Sequence, residues 1–172
     1  EVWLEGEAFF KIRKMPGRES PEFYVHVGRL TIEVLGTSFN VYNRDDKTSV
    51  VLQEGSVELS SRDKTAVPGT LLMKPGDKVD IRAGGYEIEK VSVEPYISWK
   101  DNRMVFENLE LSEIARMLED NYGYRTDFRR PELKTLRFTG SYPAGNVDIF
   151  LKAIEEAFGI RIIKEEKTIT FQ

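Results

Sequence analysis

The chain has 172 residues, 40% of them hydrophobic and 31% charged, which is ordinary for a folded protein of one or two domains. The formal net charge is −4, and 1–93 and 94–172 each carry about −2, which excludes the basic surface that nucleic-acid binding requires. No apolar run approaches the roughly 20 residues of a membrane-spanning helix, and the absence of cysteine excludes disulfides, thiolate metal sites and a cysteine nucleophile.

The first 93 residues predict an all-β domain. Short runs rich in β-branched and aromatic residues alternate with turns at a spacing of roughly 8–12 residues, which is typical of a sandwich, a barrel or a solenoid. The stretch Ile32–Leu59 holds several such runs, each too short for a stable helix. The predicted strands are Val2–Leu4, Ala8–Arg13, Phe23–Val27, Leu30–Val34, Phe39–Tyr42, Val50–Leu52, Val57–Leu59, Thr70–Met73, Val79–Ile81 and Tyr86–Val91.

Turn-forming residues separate these strands. Met15–Pro21 combines prolines, a glycine and charges and is predicted to be a loop, whereas Asn43–Asp46 and Gly55 supply tighter turns. Ser60–Pro68 is polar and turn-like. Pro75-Gly76 favours a type II turn, because proline fixes φ at the first central position and glycine supplies a positive φ at the second.

After Glu94-Pro95 strands alternate with helices. A short strand at Met104–Phe106 precedes an amphipathic helix that is followed by Gly123, and a second helix runs from an N-cap at Asn146 to Gly159. The apolar faces of the two helices are predicted to consist of Leu111, Ile114, Ala115, Leu118 and Tyr122, and of Val147, Phe150, Leu151, Ile154 and Phe158. The other predicted strands are Tyr124–Phe128, Leu136–Tyr142 with an interruption at Gly140, and a closing hairpin of Ile160–Ile163 and Thr168–Phe171.

These helical segments belong to an internal repeat with a shift of 36 residues. Leu118-Glu119-x-x-Tyr122-Gly123-Tyr124-Arg125 aligns with Ile154-Glu155-x-x-Phe158-Gly159-Ile160-Arg161. The pattern predicts a strand–helix–strand unit present twice, which makes physical sense because one helix on one strand pair cannot bury its apolar face alone. The alternative is chance, since amphipathic helices that end in glycine resemble one another.

The fold class that follows is an all-β N-terminal domain and a small α+β domain of two strand–helix–strand units. The predicted boundaries are 1–93 for the all-β domain, 94–102 for a linker and 103–172 for the α+β domain. Glu1–Gly6 resembles the interior of a strand, so we expect the sequence to be part of a longer chain.

The sequence contains no recognisable catalytic or metal-binding pattern. His26 is the single histidine, and its setting in Tyr-Val-His-Val is typical of a strand residue rather than of a ligand or base. A zinc site would need carboxylates almost alone, and there is no Gly-x-Ser-x-Gly elbow, Walker loop or Gly-x-Gly-x-x-Gly. We therefore predict a protein that is not an enzyme, with no catalytic residue, metal site or cofactor.

Paired carboxylates and one basic cluster remain. The pairs are Asp45-Asp46, Glu119-Asp120, Glu155-Glu156 and Glu165-Glu166. A glycosidase needs two carboxylates facing each other across a cleft, whereas these are predicted to lie in turns or on polar helix faces. The basic cluster, Arg129-Arg130 with Lys134 and Arg137, either meets an acidic partner or is a solvated loop.

Two motif sets carry a family resemblance. Val-Leu-Gly-Thr-Ser-Phe-Asn-Val, Val-Val-Leu-Gln-Glu-Gly-Ser-Val-Glu-Leu and Lys-Pro-Gly-Asp resemble the periplasmic domain of FecR-type transmembrane sigma-factor regulators over 2–93. Trp99-Lys100, Phe106-Glu107-Asn108-x-x-Leu111, Tyr122-Gly123 and Phe138-x-Gly140 resemble the domain that follows it in the Bacteroidetes members. That second domain is similar to the short N-terminal domain of secretins and TonB-dependent receptors, which is built of two strand–helix–strand units.

The resemblance implies a relay in the periplasm rather than a catalyst. In such anti-sigma factors a cytoplasmic segment binds an extracytoplasmic-function sigma factor, and one transmembrane helix connects it to the periplasmic part. The periplasmic part senses the signalling domain of an outer-membrane TonB-dependent receptor, and proteolysis then releases the sigma factor. Both the cytoplasmic segment and the helix would precede Glu1, so we expect no membrane contact by these residues themselves.

We expect the second domain to bind the receptor, because small sheets with open edges accept strands from partners. The candidate partner-binding residues are Arg129, Arg130, Arg137, Phe138, Thr139 and Tyr142. Two other functions stay open. A carbohydrate-binding or adhesive β-module would show an exposed aromatic platform, and a hydrolase would show two facing carboxylates in a pocket.

Overall fold

The computed structural model describes residues 1–14, 23–44, 47–62, 67 and 69–172. The predicted loop Met15–Pro21, the Asp45-Asp46 pair and much of the polar stretch 60–68 lie outside the described residues. The chain forms two compact units, Glu1–Ile97 and Ser98–Gln172. The structure confirms the predicted class, a β-rich part followed by a small α+β part.

The described part of the first unit is a pair of packed antiparallel sheets, so a sandwich is the correct one of the predicted β architectures. Its strands are β1 (Val2–Trp3), β2 (Gly6–Lys11), β3 (Phe23–Val27), β4 (Leu30–Val34), β5 (Ser38–Arg44), β6 (Lys47–Glu54), β7 (Val57–Ser61), β8 (Thr70–Met73), β9 (Asp77–Arg82) and β10 (Gly85–Lys90). The strand orders are β1-β3-β4-β7-β8 and β10-β9-β6-β5-β2, with one parallel contact, between β1 and β3.

The core of this unit follows from strict alternation along the strands. In β4, Leu30, Ile32 and Val34 are buried while the residues between them are half-buried, as expected when one face of a strand packs against a second sheet. Phe39 of β5 and Leu52 of β6, both fully buried, belong to the same apolar cluster and come from the other sheet.

The chain passes between the sheets twice at one place, and there its two connections touch. Gly36-Thr37 joins β4 to β5, and Gly55-Ser56 joins β6 to β7. The Thr37 hydroxyl donates a hydrogen bond to the Ser56 carbonyl at 2.8 Å. Gly55 has φ +89°, and an added Cβ would lie 2.5 Å from the Gly36 carbonyl oxygen. Only glycine therefore fits at position 55.

The Lys74–Asp77 turn is held by one buried carboxylate. Gly76 has φ +83° and the Asp77 N–H donates to the Lys74 carbonyl at 2.9 Å, which confirms the predicted type II turn. The Asp77 carboxylate accepts from the Lys74 N–H at 2.6 Å and lies 2.7 Å from the Lys90 ammonium. Burial by itself raises the pKa of Asp77, but the hydrogen bonds and charges of Lys90 and Lys74 outweigh it, and the pKa lies below its ordinary value.

The second unit contains the predicted duplication. Its elements are β11 (Arg103–Glu110), α2 (Leu111–Tyr122), β12 (Arg125–Phe128), β13 (Arg137–Pro143), α3 (Val147–Phe158), β14 (Ile162–Glu165) and β15 (Thr168–Phe171), with 3-10 helices at Ser98–Asp101 and Pro131–Thr135. The short helix α1 (Glu94–Ile97) precedes them, so the segment predicted as a linker holds one α turn and one 3-10 helix. β11 pairs with β13, and β15 lies between β12 and β14.

The helices of the two strand–helix–strand units begin and end at positions that differ by the predicted shift of 36 residues. α2 and α3 have equal length, and each is followed by a left-handed glycine, Gly123 at φ 67° and Gly159 at φ 62°. The predicted N-cap is confirmed, since the Asn146 side chain accepts from the Ile149 N–H. The predicted apolar helix faces are in the core, where the rings of Phe106 and Phe150 stack at 4.7 Å.

Two details of the prediction are wrong. β11 extends well beyond Met104–Phe106, because a bulge between Phe106 and Leu109, with Asn108 at φ 52°, lets pairing resume after an irregularity. β13 is continuous through Gly140 rather than interrupted there. A Cβ at that position would lie 2.6 Å from the Tyr142 ring, so glycine makes room for that ring within a continuous strand.

Gly55→Ala should lower the free energy of unfolding of the first unit by about 3 kcal/mol, because it adds both a clash and a strained φ. Gly84→Ala is the matched control: Gly84 has φ +97° but nothing within 4 Å of the added Cβ, so strain alone should cost about 1 kcal/mol. Urea unfolding followed by circular dichroism measures both. Equal losses would show that the crossing contact is unimportant.

Asp77→Asn should destabilise the first unit by about 1–3 kcal/mol at pH 7, since the lysine and backbone donors around the site lose an anion. Because the folded-state pKa is lowered, this stabilisation is present above about pH 4 and is lost as the pH falls through the folded-state value. The difference between wild type and variant should therefore shrink between pH 5 and pH 2 in urea unfolding. A difference that stays constant with pH would contradict the assigned role of the carboxylate.

Candidate functional site

The side chains that could act as metal ligands or bases are His26 and the carboxylates. Within the described ranges, no three His, Asp or Glu residues are grouped so that they could hold a metal ion, and no helix is long and apolar enough to span a membrane. His26 lies on β3, where Nδ1 is 3.3 Å from the Thr31 hydroxyl and the ring stacks on Trp3 with centroids 5.1 Å apart. The histidine is therefore engaged with its strand neighbours.

An open groove of about 410 Å³ lies between α2 and β12 in the second unit. Three carboxylates line it, and each is held by another group. Glu113 accepts from the Glu110 N–H at 3.2 Å, Glu119 accepts from Thr126, and Asp127 lies 3.6 Å from Arg129. The groove does not present the pair of free, facing carboxylates that glycoside hydrolysis requires.

The residues predicted to bind a partner occupy different environments. Arg129 and Arg130 are exposed at the end of β12. The guanidinium of Arg137 is bound by β11, through the Asn108 carbonyl at 2.8 Å and the Glu110 carboxylate at 2.7 Å. Lys134 lies over the Phe128 ring at 5.8 Å.

The aromatic candidates face the interior. Phe138 is only 4% exposed and packs against Phe106, Phe150 and Phe158, so it is a core residue rather than a surface contact. The alternation of β13 explains the difference: Phe138, Gly140 and Tyr142 point toward the helices, whereas Arg137, Thr139 and Ser141 point away. Tyr142 is half-buried and keeps part of its ring accessible.

The alternation of hydrogen bonds along the β11–β13 ladder determines which backbone groups of β13 point outward, toward a possible partner strand. The Ala144 N–H donates to the Asn102 carbonyl and the Leu111 N–H to the Leu136 carbonyl. Because alternate residues of an antiparallel ladder face the paired strand, Phe138, Gly140 and Tyr142 bond to β11. The backbone N–H and C=O groups of Arg137, Thr139 and Ser141 therefore point toward the outer edge.

The side chains at these three positions lean away from that edge. Arg137 is held by β11, the Thr139 hydroxyl accepts from the Asn108 N–H at 2.9 Å, and the Ser141 hydroxyl accepts from Arg103 at 2.6 Å. No proline interrupts the strand before Pro143. A partner strand can therefore approach five consecutive residues of backbone without displacing a side chain.

The other edges of the second unit, which is described throughout, are obstructed. The bulge at Asn108 breaks the edge of β11. β12 and β14 have four residues each. In each strand, the first backbone N–H that points away from β15 is already hydrogen-bonded to a glutamate. Glu119 accepts from the Thr126 N–H at 2.9 Å, and Glu155, its repeat equivalent, accepts from the Ile162 N–H at 2.6 Å. The edge of β13, Arg137–Ser141, is thus the long unobstructed edge of this unit, and we refer to it as the β13 edge.

The sequence analysis missed the roles of Glu119, Glu155 and Asn108. The sequence predicts that the two glutamates are solvated surface charge, although their alignment within the repeat is a usable signal of a shared role. Asn108 carried a weaker signal, since asparagine tolerates the left-handed conformation better than most residues.

Comparisons with known proteins agree with this architecture. A family model described as "FecR protein" matches 3–58, and one described as "FecR, C-terminal" matches 103–171. Two crystal structures, each of a candidate anti-sigma factor from Parabacteroides distasonis ATCC 8503, have the same fold. One has a TM-score of 0.75 at 23% identity and the other 0.72 at 24% identity; both alignments cover 99% of this chain, and 79% and 78% of those chains. No curated protein matches the chain.

Glu119→Ala should expose the edge of β12. Loss of the carboxylate acceptor should lower the free energy of unfolding of the second unit by about 1 kcal/mol. It should also speed exchange of the Thr126 amide hydrogen about tenfold. Hydrogen exchange followed by NMR measures this, with Glu156→Ala as the control, because Glu156 is an exposed helical glutamate for which the structure shows no bond. Equal exchange at Thr126 in the two variants would contradict the capping role.

Proposed function

Because the chain belongs to the FecR family, a family of sigma-factor regulators, we propose that it is the sensing portion of a transmembrane anti-sigma factor. It lies in the periplasm and receives its signal by contact with the signalling domain of an outer-membrane TonB-dependent receptor. It controls an extracytoplasmic-function sigma factor through a cytoplasmic segment outside these residues, connected by a membrane-spanning helix. The protein acts by binding, not by catalysis.

The observation that carries this proposal is the β13 edge. Three residues there each offer an N–H and a C=O, so an added strand can form up to six main-chain hydrogen bonds. Net contributions of roughly 0.5–1.5 kcal/mol per bond are enough for a reversible signalling contact. The receptor's signalling domain, which the sequence resemblance describes as a similar strand–helix–strand fold, would supply an edge strand of its own.

Arg129 and Arg130 support the same assignment in a secondary way. They are exposed near the end of β12 and can steer an acidic partner surface. Arg137 does not serve this purpose, because its guanidinium positions the bulge of β11. A double charge reversal of Arg129 and Arg130 therefore tests the basic contribution without disturbing the ribbon of β11 and β13.

A second candidate function, a carbohydrate-binding β-module, has one observation in its favour. Trp3 on β1 is 75% exposed and its ring is stacked on His26, so one indole face is open to a sugar ring. A glycan array probed with wild type and with Trp3→Ala tests it. Binding that disappears in the Trp3→Ala variant would support this function. An array without binding would contradict it.

Ser141→Pro should weaken binding of the receptor signalling domain at least tenfold, because it removes an outward N–H of the β13 edge without removing a backbone hydrogen bond to β11. Ser141→Ala is the matched control, since it deletes the same hydroxyl and keeps the N–H. Isothermal titration calorimetry with the signalling domains of the organism's TonB-dependent receptors, one at a time, gives the affinities. No binding by wild type at high concentration would refute the receptor contact, and equal affinity of the two variants would exclude the β13 edge alone.

A further inference from the structure

The first unit has its own open edge strand, β10, which the proposed function does not use. β10 is the outermost strand of its sheet and forms a hairpin with β9 that closes at the Arg82–Gly85 pair. From that pair onward, every second residue of β10 has its backbone groups directed at β9. The Val91 N–H donates to the Gly76 carbonyl at 2.9 Å and follows the same alternation. The backbone groups of Tyr86, Ile88 and Lys90 therefore point outward.

Two large apolar side chains lie along this edge. Tyr86 is opposite Ile81 and Ile88 is opposite Val79 in the register, so both are on the face of the sheet that forms the core. Yet Tyr86 is 37% exposed and Ile88 is 48% exposed. β10 thus carries the apolar core face beyond the rim of the sandwich, where a further strand would cover it.

The edge also lacks the features that usually block strand addition. No bulge or proline interrupts Gly85–Lys90. The ammonium of Lys90 is turned back onto Asp77 at 2.7 Å and the Pro75 carbonyl at 2.9 Å, so it does not guard the strand. Among the described residues, no backbone group bonds to the outward side of β10. An exposed apolar edge of this kind marks a protein interaction site.

The opposite face of β10 is acidic. Glu87 and Glu89 alternate with the apolar residues. Glu89 accepts from Lys78 at 2.6 Å, and Asp80 lies 2.9 Å from Lys47 and 3.4 Å from Lys78. The exposed Glu87 has no basic partner among the described residues, so negative charge remains in excess at this edge.

We propose that the β10 edge binds an extended segment of a partner protein in which apolar residues alternate with basic residues. The apolar side chains cover Tyr86 and Ile88, and the basic side chains lie opposite Glu87 and Glu89. A second copy of this chain fits worse. Antiparallel self-pairing centred on Ile88 places Glu87 opposite Glu89 of the other copy, and pairing centred on Glu87 places two Glu87 side chains together, so like charges meet in either register.

A labelled synthetic peptide of alternating lysine and valine or isoleucine tests the proposal against the full chain. Fluorescence anisotropy should show binding that weakens with added salt, and a peptide with glutamate in place of lysine should bind at least tenfold more weakly. Equal binding of the two peptides, or no binding of the basic one, would overturn the proposal.

Ile88→Pro tests the strand geometry. It removes an outward N–H while leaving the β9 ladder intact, and should lower the peptide affinity at least tenfold. Ile88→Thr keeps the N–H and a β-branched side chain, so it should lower the peptide affinity less than the proline variant does. If the proline variant does not fold, Ile88→Lys keeps the backbone and repels the basic peptide, with the same tenfold loss expected. A chain that dimerises in ultracentrifugation, and becomes monomeric as Ile88→Lys, would instead assign the edge to a second copy and overturn the proposed partner.

Discussion

The first unit depends on the contact between two of its crossings from one sheet to the other, the β4–β5 and β6–β7 connections. β4 and β7 are neighbours in one sheet, and β5 and β6 are neighbours in the other, so the β4–β5 and β6–β7 connections must run side by side. Two backbones can lie this close only where a Cβ is absent, and Gly55 meets that requirement against Gly36. The Thr37 hydroxyl then closes the contact onto Ser56. Two of the motifs that carry the family resemblance, Val34–Val41 and Val50–Leu59, are therefore signatures of this crossing.

The second unit depends on a duplication whose symmetry is broken by β15. The strands that follow the two helices, β12 and β14, both pair with β15, whereas the strands that precede them, β11 and β13, pair with each other. Glu119 and Glu155 occupy equivalent positions in the repeat and cap only the three-stranded sheet. One duplicated sequence thus produces a sheet with protected edges and a ribbon with an open edge, which is why we propose β13 as the strand that binds a partner.

The sequence predicted best those structural features that depend on residues close to one another in the chain. The bounds of α2 and α3 depend on apolar periodicity and terminal residues, and both signals lie within the helix and its flanks. The bulge of β11 and the role of Arg137 depend on partners far away in the chain; Glu110 is 27 residues from Arg137. Phe138 and Thr139 are both predicted to bind a partner, because the sequence of β13 does not decide which of its two faces the helices cover. Sandwich, barrel and solenoid stay open at the level of sequence for the same reason, since strand spacing does not determine strand order.

Both proposed surfaces offer backbone groups, and main-chain hydrogen bonds give affinity with little information about sequence. Selection of one partner must then come from side chains beside the edge. At β10 these are Glu87 and the exposed apolar pair, which together demand an alternating pattern. At β13 the side chains of Arg137, Thr139 and Ser141 are tied to β11, so they select weakly. The accessible part of the Tyr142 ring, which packs over Gly140, is the feature of that strand that a partner side chain can contact, and specificity for one receptor is therefore expected to depend on the residue that faces Tyr142.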